Sequence, residues 1–377
     1  MHNSKFFRNF APEMKKFITT LAIFGAIFLC LSPSCTRNRA VVLDDTGVDS
    51  LALARGNRYA RGFVLDDTLG LVRARVFAPW SPDSVMATYL IPSGGYRTIG
   101  CSSATHVGFL SELGLTDRIA GMCDPQLVYT PLPESFVNLG NSLAPDPERV
   151  LQSGADGVMI STYAPSDMSA ARLEAVGIRV FYNNEWRERS PLARAEWIRF
   201  VGALFGQTRR ADSIFHAVEA AYCALRDERQ NDLQNDNARK PKVMSGLDFR
   251  GTWYVPSGAT YMGALFRDAG FDYAFSKDTR SGSIPLTLEQ ALVTFNDCDI
   301  WLGCNAPSIA ELAEMNRQYT LMRPYKTGQV YGFRQRVKQA GGNDFWESGV
   351  VHPERILLDL IHIAQSDTSL FYINKLQ

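Results

Sequence analysis

Short apolar runs alternate with amphipathic helical runs along most of this chain. Strands joined through helices return in the same direction, so the alternation predicts parallel sheets covered by helices. In the amino-terminal half, YRTIGC, DRIAGM, DGVMIS and RVFYN read as strands, with THVGFLSELG, PERVLQSG and AARLEAVG as the helices between them. Beyond Pro241 the rhythm resumes with KVMSGLD, TWYVPSG, a helix, EQALVTF, DIWLGC and QVYGFR, and HPERILLDLIHIA closes it as a capped helix. Between the halves, SPLARAEWIRFVGALFG opens on Ser190 as a cap and Pro191 in the first turn. TRRADSIFHAVEAAYCALRDER then keeps apolar residues at helical spacing from Thr208 to Arg229, a rod of roughly 33 Å, and polar QNDLQNDNARK ends it as a loop. The first strand signals, RGFVLDD, LVRARVFAPW and ATYLIP, form a hairpin prelude.

The expected fold is therefore α/β: two Rossmann-like lobes, each a parallel sheet flanked by helices, joined by one long rigid α-helix, with an amino-terminal β-hairpin region. At 377 residues the chain exceeds what one core serves, which agrees with two lobes. The boundaries read as a lipoprotein signal peptide at 1–35, a tether at 36–57, one lobe at 58–206, the linker helix at 207–232 and the second lobe at 233–377.

The lobes also echo each other in detail. SSATHVGFLSELG and SGATYMGALFRDAG share a polar, ring-bearing helix start, an apolar run and a closing glycine. ERVLQSGADGVMI from Glu148 aligns with EQALVTFNDCDIW from Glu289, in the same order along each half. In parallel α/β lobes ligands gather where strands end and helices begin. That rule places Ser102, Ser103, Thr105 and His106 on one side of a cleft, with Trp253, Tyr254 and Tyr261 at the matching place on the other. Glu148 and Glu289 stand in first helical turns, where the helix dipole favours a carboxylate whatever the protein does. Their paired placement suggests two docking charges able to receive arginines.

The amino terminus carries a different message. Lys15 and Lys16 precede FITTLAIFGAIFLCL, short for a bilayer span and suited to a signal-peptide core, and SPSC follows it. Cleavage before Cys35 and its lipidation would leave the protein anchored at the cell envelope. The 39 acidic and 39 basic side chains balance, so no net field gathers nucleic acid. Five cysteines beyond Cys30 and Cys35 cannot form a complete disulfide set, and none has zinc-site spacing. Cys101 and Cys123, each after a strand, are the one candidate pair. A serine hydrolase built on Ser102 or Ser103 with His106 is disfavoured: there is no GxSxG elbow and one helix start gives no oriented base.

Taken together, SSATHVGFLSELGLTDRIAGM, PDPERVLQSGADGVMI, EAVGIRVFYNNEW, the long helix, YVPSGATYMGALFRDAGFDY, LTLEQALVTFNDCDIW and GGNDFWESGVVHPERILLDLI resemble the class III periplasmic binding proteins. That family delivers cobalamin, ferric siderophores or haem to ABC importers, and the resemblance covers roughly Arg97 to His362. It implies transport without chemistry, no resident cofactor, a monomer, and a permease dimer whose arginines meet Glu148 and Glu289. Gly154-Ala155 departs from the lysine or small residue and proline usual before the aspartate. Few histidines lie within the folded region, so a bare metal ion is disfavoured against a chelate or corrinoid. Tyr163, Trp186, Trp253, Tyr261 and Trp346 suit stacking on a flat or bulky ligand. Arg250, Arg334 and Arg336 suit carboxylates or an anionic complex, and Tyr261 or His106 could serve a haem as axial ligand. A surface lipoprotein that binds a chelate without docking on an importer is the alternative.

Overall fold

The computed structural model describes residues 49–68, 71–235 and 239–377, which form one compact body with two sheets at its centre. In the amino-terminal sheet the strands lie in the order Val180–Tyr182, Val158–Ile160, Ile99–Cys101, Ile119–Met122, Val137–Asn138, all parallel. The three central strands are almost wholly apolar and buried on both faces, as parallel strands covered by helices must be. In the carboxy-terminal sheet Asp272–Tyr273, Lys242–Ser245, Ile300–Leu302 and Val330–Gly332 run parallel, and Asn374–Lys375 joins the edge antiparallel.

Thr252–Pro256 does not enter that sheet. It pairs antiparallel with Asp248–Phe249 and Ser283–Leu286 in a separate three-stranded excursion, because the chain must leave the sheet after Ser245 and come back before the helix Tyr261–Asp268. The repeated helix starts are thus not equivalent: one follows its strand at once, the other follows a hairpin.

The linker helix runs from Thr208 to Asn235, further than its polar tail suggests and about 42 Å long. Tertiary contacts carry it onward. Arg229 is 7% exposed and donates from Nε to the Ala269 carbonyl, and Leu233 lies against Gly270. Tyr222 donates its hydroxyl to Asp268 at 2.7 Å, fixing the rod to the second lobe. The preceding helical run is interrupted at Glu196, giving Pro191–Ala195 and Trp197–Leu204.

That interruption serves the amino-terminal segment. Glu196 is fully buried and accepts from the backbone N–H groups of Arg58, Tyr59 and Ala60 at 2.7–2.9 Å. Glu188 accepts from Arg61, Gly62 and the Trp197 indole. Two carboxylates thereby seat the antiparallel meander Phe63–Thr68, Leu71–Ala78, Ser81–Ile91, whose Phe63 and Tyr89 pack on Trp197 and Phe200. Residues 49–57, expected as part of the tether, are folded: Ser50–Leu53 is a helix capped by Asp49, and Asn57 is 3% exposed with its amide on the Ala60 and Phe63 carbonyls. Cys35 and the signal segment lie outside the described residues. Cys101 ends one strand and Cys123 directly follows the adjacent strand Ile119–Met122, and both are buried free thiols.

Candidate functional site

Strand Ile99–Cys101 comes first in its sheet yet lies between two later strands, Ile119–Met122 and Val158–Ile160. Connections leave it in opposite directions, the arrangement in which open α/β sheets gather ligands at the carboxyl ends of their strands. Ser102 and Ser103 occupy that end of Ile99–Cys101, and the helix Ala104–Glu112 starts there with Ser103 as its cap. His106 is wholly buried, and its Nε2 lies 3.4 Å from the Ser161 hydroxyl at the end of the neighbouring strand. Burial pushes the imidazole down to about 3, so it is neutral at physiological pH. Its Nδ1 has no hydrogen-bond partner among the described residues.

The same edge gathers an aromatic group. Tyr163 follows Ser161, and Trp186 follows the strand Val180–Tyr182; their ring centroids lie 5.1 Å apart. Trp186 Nε1 is buried and meets no acceptor among the described residues, and the Arg187 guanidinium lies 5.1 Å from the indole centroid. Glu185, 1% exposed, pairs with Arg194 at 2.8 Å, and Arg194 lies 4.6 Å over the ring of Tyr261 from the other lobe. Burial pushes the Tyr163 and Tyr261 phenols up to about 12, so both remain protonated donors. The lobes therefore meet where the Arg194 guanidinium lies over the Tyr261 ring.

Other expected contacts fall elsewhere. Trp253 is a core residue with no exposed surface: its ring packs on Trp301 and Tyr319 and its indole donates to the Ser245 carbonyl. It offers no face to a ligand, because the excursion strand turns it inward. Arg250 is exposed at a left-handed turn with φ of 54°, and half-buried Tyr254 stands on the same excursion. Arg334 follows Val330–Gly332, its backbone N–H on Asn374. Arg336 is held by Asp344 at 2.6 Å, and Trp346 packs edge-on to Phe345 with centroids 4.6 Å apart. Thr105 and Ser103 share a hydrogen bond at 2.9 Å, and Ser103 also accepts the Thr105 N–H; His106 is turned to Ser161 and not to Ser102 or Ser103, the serines considered as nucleophiles. Among the described residues no group of three or more His, Cys, Asp or Glu side chains could hold a metal ion.

Glu148 and Glu289 are exposed in the first turns of Pro147–Gln152 and Leu288–Phe295, and neither forms a salt bridge among the described residues. The Glu289 carboxyl is held below its usual range by its own backbone N–H and the Thr287 hydroxyl. Sequence reasoning did not single out Glu185, Arg187 or Arg194. The polar run NNEWRER directly after a strand end was the available signal.

The lobes are also joined at a second place. Glu347, fully buried on the helix Asp344–Glu347, accepts from the backbone N–H groups of Tyr129 at 2.6 Å and Thr130 at 2.8 Å. A Cβ at Gly108 would stand 2.2 Å from the Glu347 carbonyl oxygen, and one at Gly342 2.3 Å from that of Val128. His352 bridges Glu112 at 2.9 Å and Glu354 at 2.8 Å. The linker helix is therefore only one of several ties between the halves.

Two parallel-sheet lobes joined by a long helix define a two-lobed α/β architecture. The chain belongs to the periplasmic binding protein family, whose model matches residues 99–337. A lipoprotein of Methanocaldococcus jannaschii is 23% identical over 239 residues, which are 62% of this chain and 53% of that protein, so the match spans about half the relative's length. Among solved structures, the apo haem-binding protein RhuT of Roseiflexus sp. RS-1 superposes with a TM-score of 0.56 at 18% identity, covering 72% of this chain and 99% of that one. The siderophore-binding protein FhuD of Vibrio cholerae, solved with Fe3+-Desferal, gives 0.54 at 14% identity, covering 72% and 100%. These likenesses show the fold, and the family is one of binding proteins rather than enzymes. Among the described residues no helix is long and apolar enough to cross a membrane.

Proposed function

We propose that the protein is the solute-binding component of an ABC importer, capturing an iron chelate, haem or cobalamin between its lobes and passing it to a membrane permease. The observation that carries this reading is the group Tyr163, Trp186 and Tyr261. Tyr163 and Trp186 pack together after strand ends of the first sheet, Tyr261 opens a helix of the second lobe beneath Arg194, and Trp186 Nε1 is a buried donor without an acceptor among the described residues. A large planar or ring-bearing complex supplies the apolar area and the acceptor that such a group lacks. The haem and siderophore binders among the structural neighbours support this cargo range. Glu148 and Glu289, one exposed carboxylate per lobe, are the docking charges, and a lipid on Cys35 holds the protein at the envelope, in keeping with the lipoprotein relative.

Two measurements test this. Titration of the full chain in detergent with haem, cobalamin and ferric siderophores, followed by tryptophan quenching, should give saturable binding to one class, weakened by Tyr163→Ala. No binding to any of them overturns the cargo reading. Uptake in cells should fail for the double variant Glu148→Arg, Glu289→Arg while binding persists. Uptake at the unaltered rate would leave a ligand-scavenging lipoprotein without importer docking.

A further inference from the structure

Within that proposed site, one pair of neighbours is unbalanced. The Trp186 indole N–H is buried and donates to nothing among the described residues. Beside it, the half-buried Arg187 guanidinium has no carboxylate partner among the described residues, and burial, with the like charge of Arg189, lowers its pKa. Two arginines of the same region are matched, Arg194 by Glu185 and Arg61 by Asp49. The carboxylates closest in sequence are already engaged, Glu185 with Arg194 and Glu188 with the N–H groups of Arg61 and Gly62 and the Trp197 indole. Removing the indole N–H from water without an acceptor costs free energy, and a protein keeps such a donor, beside an unpaired guanidinium, where a ligand completes both.

We propose that Arg187 and Trp186 Nε1 form an anion subsite, so that the cargo is a chelate bearing anionic oxygens and not an uncharged corrinoid. This rests on the cleft reading above and narrows it. The guanidinium offers a planar fork of donors to a carboxylate or catecholate edge, the indole adds a third donor beside it, and the Tyr163 ring carries the apolar body of the complex. Two sources share this chemistry: the carboxylates of haem, and the ligand shell of an anionic ferric siderophore.

The test uses the full chain in detergent and three probes: haem, a ferric tris-catecholate and cobalamin. One of the two anionic probes should bind at least about tenfold more tightly than cobalamin, with an affinity that falls as salt rises. Arg187→Gln should weaken that probe about tenfold or more and flatten its salt dependence, Arg187→Lys should restore part of it, and Trp186→Phe, which keeps the ring but removes the N–H, should weaken it less. Which anionic probe responds decides between the two sources. Tighter binding of cobalamin, or an Arg187→Gln variant whose affinity and salt dependence match the unaltered protein, overturns the anion subsite while leaving the cleft reading standing. Failure of all three probes overturns the cleft reading itself. Should Arg187→Gln not fold, the salt dependence of the unaltered protein and the Trp186→Phe variant decide the matter alone.

Discussion

Replacing Glu347 by alanine tests whether the lobes are fastened at more than the linker helix. The Glu347 carboxylate, fully buried on one lobe, is the acceptor for two backbone N–H groups of the other, at 2.6 and 2.8 Å. Burial raises its pKa, yet both donors favour the ionised form, and an alanine satisfies neither of them. A hydrogen bond to a charged group contributes roughly 1.5–3 kcal/mol, and Tyr129 and Thr130 are half-buried, so water recovers part of the loss; about 3 kcal/mol remains. For a body of this size, with an unfolding entropy of about 2.1 cal/mol/K per residue, that is a fall of roughly 4–5 °C in melting temperature. Glu347→Gln keeps one acceptor and turns an amide toward the second donor, so its melting temperature should lie between the two. Calorimetry reads the shift, and small-angle scattering of the same samples should show the alanine variant expanded when free of ligand, while the unaltered protein changes little on binding cargo. If Glu347→Ala melts within about 1 °C of the unaltered protein, the contact is not a fastening and the argument fails.

Two histidines give opposite pH signatures. His106 has a folded pKa of about 3, pushed down by burial, against about 6.5 when unfolded, so below pH 6.5 the unfolded chain takes up a proton that the folded protein refuses. Urea melts should show stability falling by about 2 kcal/mol between pH 6.5 and 5 from this group, a slope that His106→Gln should remove. For His352, burial lowers the pKa, but the hydrogen bonds to Glu112 and Glu354 outweigh it and raise the value to about 9. Its contribution is complete below pH 6.5 and fades as pH climbs through 9, at most about 3 kcal/mol, and His352→Gln melts should be flat over that window. The Cys123 thiol, pushed up to about 12 by burial, should resist alkylation in the folded protein and react in denaturant; rapid labelling of native protein would contradict its placement.

Most of the two-sheet architecture was legible in the residues. YRTIGC, DRIAGM, DGVMIS and RVFYN fall where strands of the first sheet stand, since a buried parallel strand needs a short apolar run and nothing distant to define it. Caps at Ser103, Asp146, Ser190 and Thr287 were equally local, each side chain bonding the N–H groups two or three residues on. TWYVP misled, because its alternation is the same whether it joins the main sheet or an antiparallel excursion. Trp253 therefore looked like a cleft residue and is core.

By itself the sequence determined the elements, their order and the doubled helix starts, since periodicity and capping act over a few residues. Only the tertiary structure decided which side chains share a site. Strand order brings Ser161 to His106, and the approach of the lobes sets Tyr261 beneath Arg194. Helical spacing ended the linker near Arg229, whereas contact with Ala269 and Gly270 carries it to Asn235. Such pairings join residues far apart along the chain, and no local pattern encodes a distance that the folding of the rest of the molecule creates.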